Sequence, residues 1–112
     1  VNAFTIIIDL SKDGDILHVN DKFVEHTGYS KDEIVGQKHT YYVPEEAIVN
    51  GSFEALWNEL KKGKNVVKDV LRKKKDGTRF WLRASYMPVF DHQNQIKRIS
   101  CLCFDITEEK VK

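Results

Sequence analysis

From residue 4 to residue 10 the chain is apolar and β-branched, with Phe4, Thr5, Ile6, Ile7 and Ile8 in succession. Such a run predicts a strand buried on both faces near its middle. The next five residues, Ser11-Lys12-Asp13-Gly14-Asp15, are polar, and Asp13-Gly14 is a hairpin dipeptide. The segment from Ile16 to Val19 then reads as the short return strand. At Asn20 the period changes. Asn20 suits an N-cap, Asp21 suits the first helical turn, and Gly28 suits the stop of a helix that buries Phe23 and Val24. Ser30-Lys31-Asp32-Glu33 is a capping box for a second short helix with Ile34 and Val35 on its apolar side, closed by Gly36.

Between residues 37 and 50 periodicity fades, and only Pro44-Glu45-Glu46 offers a helix start. Residues 52–62 give the clearest helix: Phe53, Leu56, Trp57 and Leu60 share one face, and Gly63 is the C-cap. Three strand patterns follow, over 66–74, 79–89 and 96–104, joined by short polar turns that include Asp76-Gly77. Connections this short predict an antiparallel meander. Strands, then helices, then strands in separate blocks predict an α+β fold: a five-stranded antiparallel sheet with short helices on one face.

The bulk figures fit this outline and remove several functions. At 112 residues, with 41% hydrophobic and 31% charged, the chain suits one domain over 1–112 with one core. It begins at Val1, not Met, and is read as a domain excised from a longer signalling protein. A formal net charge of +1 gives no global field for nucleic acid or membrane. A basic stretch does run through Lys61, Lys62, Lys64, Lys68, Arg72, Lys73, Lys74, Lys75 and Arg79. It covers a helix end, a strand and its turn, so it is read as a solvated face with no nucleic-acid role. No apolar run approaches the ~18 residues of a membrane span. Membrane contact by this fragment is not expected, although the parent protein could be anchored.

Cys101 and Cys103 lie two apart on a strand and point to one face, a poor geometry for a structural disulfide. Without companion histidines they make no zinc site. Reduced thiols suit the cytoplasm. No Ser-His-Asp set, H-E-x-x-H helix or phosphate-binding loop is present, so catalysis is not expected. His18 and His26, around the first helix, are expected at solvent or a surface contact.

The order of elements and the motifs along them resemble the PAS family. The pointers are Val19-Asn20-Asp21-Lys22-Phe23, Thr27-Gly28-Tyr29-Ser30, Glu33-Ile34-Val35-Gly36-Gln37, Lys75-Asp76-Gly77, Trp81, Pro88-Val89 and Asp105-Ile106-Thr107. Gly36-Gln37-Lys38-His39, the Phe53 to Trp57 helix and Phe80-Trp81-Leu82-Arg83-Ala84 resemble PAS domains of bacterial aerotaxis and chemotaxis receptors.

The resemblance implies sensing of redox state, oxygen or a small ligand, with relay to a C-terminal output helix and a downstream signalling domain. In the aerotaxis type, positions like His39 and Trp57 help hold FAD, which makes FAD the first cofactor expected. Haem held by His39 is the second, and an empty, cofactor-free core is the third. The arginine of the flavin pattern is missing from Thr40-Tyr41-Tyr42-Val43, and no cysteine stands there for flavin–cysteinyl photochemistry.

Strand alternation divides the residues after Arg79 by face. Phe80, Leu82, Ala84 and Tyr86 form the set facing the pocket or core, alongside Phe53, Trp57 and His39. Trp81 and Met87 belong to the opposite face, which in this family packs against a flanking helix or a second subunit. The resemblance makes that face a relay surface and homodimer contact, and makes Asp105-Ile106-Thr107 the exit to the outgoing helix. Three parents are open: a chemotaxis or aerotaxis receptor, a histidine kinase or a cyclic-dinucleotide enzyme. A cofactor-free dimerisation module is the alternative from another class.

Overall fold

A computed structural model describes residues 4–110. Five strands are connected through short helices: β1 (Ile6–Ser11), β2 (Ile16–Val19), α1 (Asp21–Thr27), α2 (Lys31–Ile34), a 3₁₀ turn (His39–Tyr42), α3 (Glu45–Val49), α4 (Ser52–Lys61), β3 (Val66–Lys73), β4 (Arg79–Phe90), β5 (Ile96–Asp105) and α5 (Thr107–Lys110). The sheet is antiparallel throughout, in the order β2-β1-β5-β4-β3. The last strand therefore sits in the middle and joins the N-terminal hairpin to the meander.

Local signals fix most element ends. The Asn20 side chain accepts from the Phe23 amide at 3.1 Å and caps α1. It also accepts from the Ile7 amide at 3.1 Å and donates to the Thr5 carbonyl at 2.8 Å, so one side chain stitches α1 to β1. Gly28 ends α1 at φ 84°, and both halves of the Ser30–Glu33 capping box are formed.

The core lies between the sheet and the helices. Ile6, Ile8 and Leu10 of β1 pack there with Phe23, Ile34, Leu56, Leu60, Val70, Ile99, Cys101 and Cys103. On β4, Phe80, Leu82, Ala84 and Tyr86 are buried, while Trp81, Ser85 and Met87 are half-buried on the opposite face. The division by alternation therefore holds.

Four expectations are corrected. The first strand begins at Ile6, and Phe4 is exposed. Only one face of that strand is fully buried, because α1–α4 cover just one side of the sheet. Val35 is exposed because α2 ends at Ile34. Residues 39–42, without a clear pattern, form a 3₁₀ turn anchored to the first hairpin: the His39 amide donates to the Gly14 carbonyl at 2.7 Å, and Lys38 pairs with Asp15 at 2.8 Å.

Candidate functional site

The chamber forms where the 3₁₀ turn, α4 and the inner faces of β3 and β4 meet. His39 is 1% exposed. The rings of Tyr42, Phe53, Trp57 and Tyr86 surround it, with centroids 5.0, 5.4, 6.1 and 5.8 Å away. Phe53 and Trp57, one helical turn apart, stack with planes 14° from parallel. Trp57 also packs against Gly14, the turn residue whose carbonyl holds the His39 backbone. Of the residues expected at a pocket, His39, Phe53, Trp57 and Tyr86 are brought together. Phe80 and Leu82 are core residues on the same strand as Tyr86.

The largest departure from sequence reasoning is Arg72. As part of the basic stretch it belonged to a solvated face, yet it is 2% exposed and among the largest fully buried side chains. Alternation along β3 puts Arg72 on the face of Val70, turned to the core, while Asp69, Leu71 and Lys73 share the other face. That period-2 register was the available signal. Arg72 Nη2 donates to the Tyr86 hydroxyl at 3.1 Å, and Nη1 donates to the Leu71 carbonyl at 2.7 Å. Its guanidinium lies over the Phe53 ring at 6.0 Å.

These contacts set the protonation states. Burial, aided by the Arg72 charge, lowers the His39 pKa well below its ordinary value, so the imidazole is neutral at pH 7. Burial also pushes the Tyr42 and Tyr86 phenols up, so both keep their protons. The Tyr86 oxygen already accepts from Arg72. Its own proton then goes to His39 Nε2, 3.1 Å away. The hydrogen-bond chain runs Arg72 to Tyr86 to His39 and places the imidazole proton on Nδ1. Among the described residues, His39 Nδ1, the Tyr42 hydroxyl and Arg72 Nε are buried polar atoms without a partner.

Two spaces border this chain. One of about 100 Å³ lies beside His39, Trp57 and Gly14. The other, about 300 Å³, lies between α3, α4 and the edge strand β3, against Arg72, Val70 and Leu56, and reaches Asp69, Leu71 and Trp81 of the other face. Phe53 borders both. Cys101 and Cys103 are buried free thiols with sulfurs 3.2 Å apart, and burial raises the Cys101 pKa. Among the described residues no group of three His, Cys, Asp or Glu side chains could hold a metal ion.

The chamber is too small for either expected cofactor. Pockets that bury drug-sized ligands span roughly 300–1,000 Å³, so the larger space is at the lower limit and a dinucleotide flavin exceeds it. Haem fits less well: His39 Nε2 is held by Tyr86, and aromatic rings occupy the volume a porphyrin needs.

Residues 105–110, where the resemblance expects the exit, lie beside β4. Asp105 Oδ1 accepts from the Thr107 amide at 2.7 Å. The Thr107 hydroxyl accepts from the Trp81 amide at 2.8 Å, and the Ile106 amide donates to the Trp81 carbonyl at 2.9 Å. Lys110 lies over the Trp81 ring at 5.1 Å and pairs with Asp69 at 3.0 Å, so α5 turns onto the sheet face that Trp81 and Asp69 share. His26 makes a surface contact with Asp105 across the end of α1, with Phe80 beneath its ring. Met87 makes no part of this connection.

A five-stranded antiparallel sheet with short helices over one face, and partly open cavities between them, defines an α+β module. The PAS domain family model matches residues 2–108, and the chain belongs to that family. It is 26% identical over 102 residues to the biofilm dispersion protein BdlA of Pseudomonas aeruginosa, covering 91% of this chain and 24% of that protein. It is 35% identical over 74 residues to the aerotaxis receptor of Escherichia coli, covering 66% of this chain and 14% of the receptor. The chain thus spans a quarter or less of these relatives. A PAS domain crystal structure from Colwellia psychrerythraea superposes with a TM-score of 0.81 at 21% identity, covering 95% of this chain and 89% of that one.

Proposed function

We propose that this domain is the sensory input of a bacterial signalling protein of the chemotaxis- or aerotaxis-receptor type, and that it binds a small ligand in the His39–Arg72 chamber. The observation that carries the reading is the 300 Å³ space against a buried arginine, sharing its Phe53 wall with the space around His39. Occupancy would shift Phe53 and the Arg72–Tyr86–His39 chain. Tyr86 lies on β4 five residues from Trp81, which holds the start of α5 through two hydrogen bonds. The relay would be a population shift of α5 between docked and released states, biased by contacts made in only one of them.

The test is a fragment screen by NMR on the 112-residue chain. The expected hits perturb the amides of Phe53, Leu56, Val70 and Arg72, and bound fragments change hydrogen exchange over residues 106–110. Hits that leave residues 106–110 unmoved would overturn the relay, and a screen without chamber hits would overturn the sensor reading. Freshly purified protein should be colourless. A flavin spectrum or a haem Soret band would show that the chamber opens further than its packing allows.

A second reading, a cofactor-free dimerisation module, rests on the outer sheet face. Val67 is 70% exposed and Phe104 46% exposed there, next to half-buried Leu71, Trp81 and Met87. Such a patch suits a second copy of the chain. A concentration-dependent mass by light scattering, with no chamber ligand found, would favour it.

A further inference from the structure

We propose that the chamber takes a small organic carboxylate with an apolar body, its carboxylate seated on Arg72. The inference rests on the reading of this chamber as the ligand compartment, and names the ligand class. Arginine stays charged in any protein environment, and a buried charge without a counter-charge is costly. Among the described residues Arg72 has no such counter-charge. Its two hydrogen bonds go to neutral oxygens, the Leu71 carbonyl and the Tyr86 phenol, and its Nε–H has no partner. The His39 Nδ1 proton and the Tyr42 hydroxyl are also unmatched, so donors outnumber acceptors around the site.

The two acids bordering the cavity cannot supply the missing charge. Both carboxylate oxygens of Glu46 are held by Arg79, through its Nε and Nη2 at 3.0 Å. Asp69 is held by Arg83 at 2.9 Å and Lys110 at 3.0 Å. Lys68, at the same cavity, has no ion pair among the described residues, so the approach is electropositive. A planar guanidinium suits a carboxylate, which accepts two parallel N–H bonds. Asn50 and Ser52 add polar atoms, and the other remaining walls, among them Ala47, Phe53, Leu56 and Val70, are apolar. They favour a carboxylate carrying a hydrocarbon body over a phosphate, whose hydrated oxygens they would strip without replacement.

The test titrates hexanoate and its neutral isostere hexanamide into the isotope-labelled 112-residue chain at pH 7. It follows the Arg72 Nε–H resonance and the amides of Phe53, Leu56 and Val70. Hexanoate should bind about tenfold or more tightly than hexanamide, the margin expected of a charge-assisted hydrogen bond over a neutral one. Arg72→Met, which keeps the length and loses the charge, should bring the ratio to about one. If that variant does not fold, the comparison of the two probes on the native chain decides alone.

Equal binding of the two probes, absence of hexanoate binding, or a preference surviving in Arg72→Met would each overturn the proposal. Hexanamide binding as tightly as hexanoate at the same amides would leave the ligand compartment standing and remove only its charge preference. Binding by neither probe, together with an empty fragment screen, would remove both.

Discussion

His39 carries the clearest pH signature at the scale of single residues. Its folded pKa lies below that of the unfolded chain, so on acidification the unfolded state takes the proton first. Stability must then fall as pH drops below about 6.5, by up to about 1.4 kcal/mol per pH unit. Urea unfolding at pH about 7 and about 5 should show a loss about 2 kcal/mol larger than in His39→Gln, which has no such proton to gain. Equal losses would mean that His39 is hydrated and charged in the fold.

Gly14 offers a second test. At φ 89° it sits in the left-handed region, and an added Cβ would lie 3.3 Å from the Trp57 ring. Gly14→Ala should cost about 1–2 kcal/mol in chemical denaturation, with a red-shifted Trp57 emission as the helix wall moves. The aromatic residues of this site were legible in the sequence because helical spacing and strand alternation place them. Arg72 was not, because residue type argued for solvent while register argued for the core. Register decided, since reversing it would have exposed Val70.

Local sequence specified nearly every element from residue 20 to residue 36, because caps and left-handed glycines act within one turn. The turn over residues 39–42 escaped because its cause is remote: hydrogen bonds from the first hairpin fix it, not its own periodicity. The same dependence on distant partners governs α5, whose described residues Thr107–Lys110 are held by Trp81, Asp105 and Asp69. Burial works against the ionised Asp105, but the Thr107 amide and hydroxyl and the His26 ring outweigh it and hold the carboxyl below the usual carboxylate range. Thr107→Val, nearly isosteric, leaves the Trp81 amide without its acceptor. Hydrogen exchange over residues 106–110 should rise severalfold, while global stability changes by about 1 kcal/mol. Unchanged exchange would show that the helix is held by other contacts.

Across the whole molecule, the two sheet faces have different work. The covered face holds the chamber; the other carries Val67, Phe104, Trp81 and the docked α5. If copies of the chain meet on that face, Val67→Lys should lower self-association about tenfold in light scattering and leave the melting temperature nearly unchanged, since the side chain is exposed. An unaltered association constant would place the contact elsewhere.

The meander was legible from its short turns. The strand order was not, because pairing β1 with β5 joins residues about ninety positions apart, and no local pattern encodes such a partner.

That pairing has a consequence for the order in which the domain comes into being. Synthesised last, β5 is also the strand that both halves of the sheet require, with β1 on one side and β4 on the other. Until residue 105 leaves the ribosome, the hairpin and the β3–β4 pair each present an unpaired edge, and the core has no floor. Closure of the domain and emergence of α5 therefore coincide. A nascent chain can hold its sheet open, in need of protection from edge-to-edge association, until the moment α5 appears.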